Sequence, residues 1–160
     1  MKDAIRRWIL TGLSCPAAAC VLRRLLRDGV FCVMLHRIGE KDPTRLPPNE
    51  EMKVSPAFLE RFIIDARHKG FTFLSVSQLH AALTGEGPWP SRSLVLALDD
   101  GYRDNLTEGL PLFERHGVPF AIYLSTAFIG GSCVPWWYGL EGLLSSRPAV
   151  LWGGRTWDIR

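Results

Sequence analysis

Residues 94–105, LVLALDDGYRDN, constrain this chain more than any other segment: five apolar residues suited to a buried strand run directly into two carboxylates, a glycine and a polar cluster. Neighbouring side chains on a regular strand point to opposite faces, so Asp99 and Asp100 serve one site only if the pleat breaks there. Gly101 permits that break, because glycine takes backbone angles other residues avoid. In α/β proteins the carboxyl ends of parallel strands form the ligand face, and paired acids at such an end suit metal binding or acid/base chemistry. The plainer alternative is a turn in which Asn105 caps the next helix.

The pattern around this segment predicts alternating strands and helices. Residues 31–35 form a short apolar run of the kind found in doubly buried parallel strands. Residues 39–53, polar and with three prolines, read as a long loop. Ser55-Pro56 then opens a helix with Phe58, Leu59, Phe62, Ile63 and Ala66 on one face and Gly70 as its stop. A strand follows at 71–74. Ser75 and Gln78 have capping-box spacing for a helix ending at Gly85. Asn105 and Glu108 repeat that spacing, Pro111 bends the resulting helix or divides its first turn from the rest, and Gly117 stops it before a strand at 120–124. A fifth strand is expected near 150–152. The alternation indicates an α/β fold with a mainly parallel sheet and right-handed crossovers.

Composition sets outer limits. Of the 160 residues, 47% are hydrophobic and 22% charged, which fits a folded globular chain and excludes a disordered one. A net charge of +3 is too small to argue for a nucleic-acid partner. Residues 1–29 hold six Lys/Arg and two Asp, leaving residues 30–160 near neutral. Within that basic segment Ile5, Trp8 and Ile9, then Val21, Leu22, Leu25 and Leu26, follow the spacing of two short amphipathic helices, which suit docking on the body or, as the lesser alternative, peripheral membrane contact. Thr11, Gly12, Ser14 and Pro16 interrupt the apolar stretch and disfavour a secretory signal. Cys15, Cys20, Cys32 and Cys133 have no Cys-x-x-Cys spacing; Cys32, inside a strand run, reads as a small core residue. The expected location is therefore cytoplasmic or peripheral to a membrane.

Leu98-Asp99-Asp100-Gly101-Tyr102, with Pro111-Leu112-Phe113 and Gly117-Val118-Pro119 after it and Met34-Leu35-His36-Arg37-Ile38 before it, resembles the polysaccharide deacetylase family, carbohydrate esterase family 4. Leu98 stands where members usually carry an aromatic residue, and Leu35 where one branch has tyrosine. The resemblance covers about residues 31–142. It implies the front portion of a distorted barrel of about seven β/α units, which is incomplete here, because a closed barrel normally needs ~200 residues or more. It also implies a divalent metal, commonly zinc, an N-acetylated glycan as substrate, and release of acetate. Carried over, Asp99 is the general base and Asp100 the metal ligand, with His36, Tyr102 and Asn105 lining the site.

The rest of that machinery is missing from the sequence. The family's metal histidines come from a His-x-x-x-His motif, whereas His36, His68, His80 and His116 include no pair four apart. A lone carboxylate is a poor zinc site. The expectation is a truncated metal-dependent hydrolase, inactive by itself. The alternative is a non-catalytic carbohydrate-binding or assembly fragment; another aspartate-dependent enzyme is disfavoured because no Asp-x-Asp pattern is present. His68, His80 and His116 read as helix-end or surface residues. Trp136-Trp137, ahead of Leu140, Leu143 and Leu144, reads first as core packing for another helix and second as a sugar platform.

Overall fold

A computed structural model describes residues 29–159. The amphipathic helices expected within 1–29 thus lie outside the described residues. The centre is β5 (Ser93–Asp99), whose Leu94, Val95, Leu96 and Leu98 are all buried. Along one edge β1 (Val30–Leu35) pairs with it in parallel, from Val30 opposite Ser93 to Leu35 opposite Leu98. The other edge is shared, again in parallel, by β4 (Thr72–Phe73) near the start of β5 and β6 (Phe120–Tyr123) near its end. Four strands therefore point their carboxyl ends the same way. The described strands form an open sheet, with a separate parallel pair, β2 (Arg37–Ile38) and β3 (Lys53–Val54). The architecture is α/β with mostly parallel strands, as the periodicity indicates.

Between β3 and β4 runs α2 (Pro56–His68), its first turn closed by the Ser55 hydroxyl accepting from the Phe58 N–H at 3.2 Å. Leu59, Ile63 and Ala66 are buried beneath it, but Phe58 is left exposed. Its end is a paired stop: the Gly70 N–H reaches the Arg67 carbonyl and the Phe71 N–H the Ala66 carbonyl, with Gly70 at φ 79°. The capping box of α3 (Val76–Leu83) is formed in full by Ser75 and Gln78. Beyond β5, a π-helical turn (Asn105–Gly109) leads into α4 (Leu110–Arg115), so Pro111 does mark a division. Leu112 and Phe113 face the core, and the Phe113 ring stacks on Phe120 at 4.5 Å between centroids. Two further helices follow, α5 (Thr126–Ile129) and α6 (Trp136–Ser146).

Several expectations are corrected. The stretch 39–53 is not a plain loop: it contains the short helix α1 (Pro47–Glu50) and enters β3. Strand β1 is buried on one face only. Phe31, Val33 and Leu35 pack against the core, while Cys32 and Met34 on the alternate positions are exposed, so Cys32 is not a core residue. The strand expected near 150–152 exists as β7 (Ala149–Trp152), yet it pairs antiparallel with β8 (Arg155–Asp158) in a hairpin apart from the parallel sheet. The diglycine Gly153-Gly154, both at positive φ, makes that tight reversal available. Trp136 is 70% exposed and therefore not core; Trp137 is half-buried.

Candidate active site

Asp99 is the last residue of β5 and lies opposite Tyr123 of β6. The strand breaks immediately afterwards. Asp100 has φ 70° and Gly101 φ 71°, two left-handed residues in succession. Aspartate tolerates that region better than most side chains, though at a cost of roughly 1–2 kcal/mol. The break is held by the Asp100 N–H, which donates to the Tyr123 carbonyl at 3.0 Å. Gly101 is required twice over, by its positive φ and because a Cβ would run into Leu124 Cδ2. Strain of this kind concentrates at functional sites. Both aspartates are half-buried, and among the described residues neither carboxylate has a hydrogen bond or ion pair.

His36 follows β1 directly. Because Leu35 lies opposite Leu98, His36 comes level with Asp99 at the same end of the sheet, and it is half-buried. Tyr102 sits one residue beyond the turn. Its hydroxyl accepts from the Trp137 indole N–H at 3.1 Å, and its ring lies under the Arg37 guanidinium at 4.9 Å. Burial pushes the Tyr102 hydroxyl pKa well up, with Tyr138 and the charge of Asp100 adding to the effect, so it stays protonated.

Asn105 corrects the capping expectation. It is fully buried, and its Nδ2 donates to the His36 carbonyl at 2.9 Å instead of closing a helix turn. Its Oδ1 has no hydrogen-bond partner among the described residues. The physical reason lies next door: Asp104 Oδ1 accepts from the Ile38 N–H at 3.2 Å and from Asn105 Nδ2 at 3.3 Å, which draws the turn onto β2 and widens it to π geometry.

Sequence reasoning missed the polar seam that supports this end. Arg37 spends Nε (2.8 Å) and Nη2 (2.7 Å) on Asp104 Oδ2, and its Nη1 donates to the Tyr138 hydroxyl at 2.6 Å. Farther out, Glu141 receives Arg45 through Nε and Nη2 (2.9 and 2.7 Å) and Asn49 Nδ2 (2.8 Å), tying α6 to α1 and the segment before it. These bonds, with Arg45 first, hold the buried Glu141 carboxyl at a pKa of about 2. A signal was present: Glu141 is the lone charge in an otherwise uncharged helix. Arg37, Tyr102, Asp104 and Tyr138, joined by Arg45, Arg103 and Thr107, wall a cleft of about 500 Å³.

The remaining histidines stand elsewhere. His68 ends α2, His80 is exposed on α3, and His116 Nε2 meets Glu60 Oε1 at 2.8 Å. Among the described residues, no three His, Cys, Asp or Glu side chains gather as a metal cage. The residues present therefore do not by themselves fit the zinc site that the sequence resemblance implies.

No family model matches the sequence, and no curated protein is significantly similar to it. Solved structures do share its fold. IcaB from Ammonifex degensii superposes with a TM-score of 0.53 at 18% identity, over 61% of this chain and 38% of that one. A de-N-acetylase from Aggregatibacter actinomycetemcomitans gives 0.53 at 14% identity, over 81% and 45%. Streptococcus pyogenes deacetylase PplD, solved with acetate, gives 0.52 at 19%, over 61% and 43%. The fold is that of the polysaccharide deacetylases. At these identities the likeness is one of fold, and the chain spans less than half the length of each of these deacetylase-fold structures. No helix among the described residues is long and apolar enough to cross a membrane.

Proposed function

We propose that this chain is the aspartate-bearing front portion of a barrel that removes acetyl groups from N-acetylated sugars of a polysaccharide. One observation carries the reading: two carboxylates without hydrogen-bond or ion-pair partners among the described residues, on a strained turn at the carboxyl end of the central parallel strand. In this reading Asp99 takes a proton from water as the water oxygen adds to the acetamide carbonyl carbon, the carbon–nitrogen bond breaks as the nitrogen takes up that proton, and acetate and a free amine on the sugar result. Asp100 serves as a metal ligand, His36 lines the site, and Tyr102 fixes the loop. A divalent metal, zinc by resemblance, belongs to the reading only with ligands from outside the described residues. The place of action is the cytoplasm or the surface of a membrane.

The test joins residues 1–160 to a segment supplying a His-x-x-x-His pair and measures acetate release from N-acetylglucosamine oligomers. Release that a chelator abolishes, and that Asp99→Asn lowers by about 100-fold or more, is the expected result. Full activity in that variant removes Asp99 from the role. For the chain alone, no acetate release is expected. A second reading, a non-catalytic glycan-binding fragment, is favoured by the exposed indoles of Trp136, Trp152 and Trp157. It expects binding to N-acetylglucosamine oligomers that is indifferent to Asp99→Asn.

A further inference from the structure

The cleft beside the aspartate turn presents one guanidinium more than its own ion pairs use. Three guanidinium groups, Arg37, Arg45 and Arg103, line it, and the first two are matched by the carboxylates of Asp104 and Glu141. Arg37 is neutralised by Asp104. Arg45 is neutralised by Glu141 through Nε and Nη2, with Glu50 Oε1 3.8 Å from its Nη1 as a second ion-pair partner. Arg103 is exposed, and among the described residues it has no hydrogen bond or ion pair. A forked donor left unpaired among the described residues, beside two guanidinium groups that are already matched, is the arrangement that recognises carboxylate or phosphate oxygens.

The walls fit a sugar as well as a charge. Tyr102 and Tyr138 meet edge to face, with centroids 6.3 Å apart, and provide amphipathic ring surface. The Tyr138 hydroxyl accepts from Arg37, which leaves its own proton to donate. Asp99 and Asp100 do not line the cleft, and their charge keeps an anion at its arginine end.

We infer that this cleft is a subsite for an acidic group, carboxylate or phosphate, carried on the N-acetylated glycan, with Arg103 as its specificity-determining contact. The inference rests on the deacetylase reading and adds the substrate class: an anionic glycan.

Binding to the full chain tests it without any turnover. Three probes are titrated by calorimetry at low salt: a neutral N-acetylglucosamine tetramer, a hyaluronan tetrasaccharide that alternates N-acetylglucosamine with glucuronate, and N-acetylglucosamine 1-phosphate. At least one acidic probe should bind about 10-fold or more tighter than the neutral tetramer, and high salt should erode the difference. Preference for the uronate oligomer identifies a carboxylate source, and preference for the phosphorylated sugar a phosphate. Arg103→Ala should abolish the preference with an unchanged melting temperature, and Arg103→Glu should reverse it. Equal affinity for neutral and acidic probes overturns the inference while leaving the glycan reading intact. Unchanged preference in Arg103→Ala overturns the role of that residue. Binding of none of the probes also overturns the inference, and the aspartate chemistry then stands or falls on acetate release alone.

Discussion

Two stretches only a few residues apart treat their acids in opposite ways. In the turn 99–101, backbone strain is tolerated and both carboxylates are left without partners among the described residues. In the turn 104–109, Asp104 accepts from Arg37, Ile38 and Asn105, and the helix widens to π geometry around those bonds. The first stretch gives up local stability and keeps its acids available. The second consumes its acid to join β2, β5 and α6 at the same end of the fold. Availability, more than the mere presence of a carboxylate, separates a candidate catalytic group from a structural one. The carboxylate that holds this end in place is engaged by three donors, whereas the two candidate catalytic carboxylates have none among the described residues.

Asp104→Ala breaks this contrast most forcefully. It leaves the Arg37 guanidinium, about four-fifths buried, without a counter-ion and the Ile38 N–H without its acceptor. A loss of roughly 2–3 kcal/mol in urea unfolding is expected, toward the lower end for a buried pair because some solvent reaches it. Asp99→Asn and Asp100→Asn should each stay within about 0.5 kcal/mol of the parent in the same assay. If all three variants lose similar stability, the division between structural and available acids fails.

Gly101→Ala comes next, at about 1–2 kcal/mol, because alanine must take φ 71°. The steric part falls on the tip of Leu124, a flexible and half-exposed side chain, so Leu124→Ala should recover only a fraction of the loss. Complete recovery would mean that the backbone angle contributes nothing. Asp100→Gly runs the other way. Glycine relieves the strain at φ 70°, so stability should rise by about 1 kcal/mol while any function of the carboxylate is removed. A stabilising substitution at this position would show that the aspartate is retained at the expense of the fold.

The order of strands and helices, the Ser55 cap, the Ser75 capping box and the break after β5 were legible because each rests on contacts within a few residues. Residues 39–53 were misread as loop because α1 and β3 are stabilised from outside, through Asn49 and Glu141 and through the Gly39 N–H to Val54 carbonyl bond. The Arg37–Asp104 bridge joins residues 67 positions apart, and no periodicity reports such a pair. Asn105 shows the limit best. Its spacing to Glu108 matched a cap, but a buried carbonyl at His36 and a carboxylate at Asp104 competed for the amide and won. The exposed alternate face of β1 was equally illegible, since an apolar run does not say whether one side or two will be covered.

A further contrast concerns Glu141, a third kind of acid: structural like Asp104, but set in the helix that carries Tyr138 to the cleft. Its folded pKa, about 2, lies below the ordinary value near ~4.3. A lowered carboxyl pKa contributes stability that is fully present above the unfolded value and is lost as the pH falls toward the folded one. Wild type and Glu141→Gln should therefore differ most at neutral pH and converge between about pH 5 and pH 2. Asp42, Glu50 and Glu60 are also held low and make both proteins acid-sensitive, so the informative quantity is the difference between the two unfolding midpoints. Arg103 binding should follow the same curve, because Tyr138 is positioned by a helix that Glu141 anchors. A pH-independent difference would mean that Asn49 and the Leu46 N–H hold the neutral amide as well as the carboxylate, and that Arg45 adds no charge-specific anchoring.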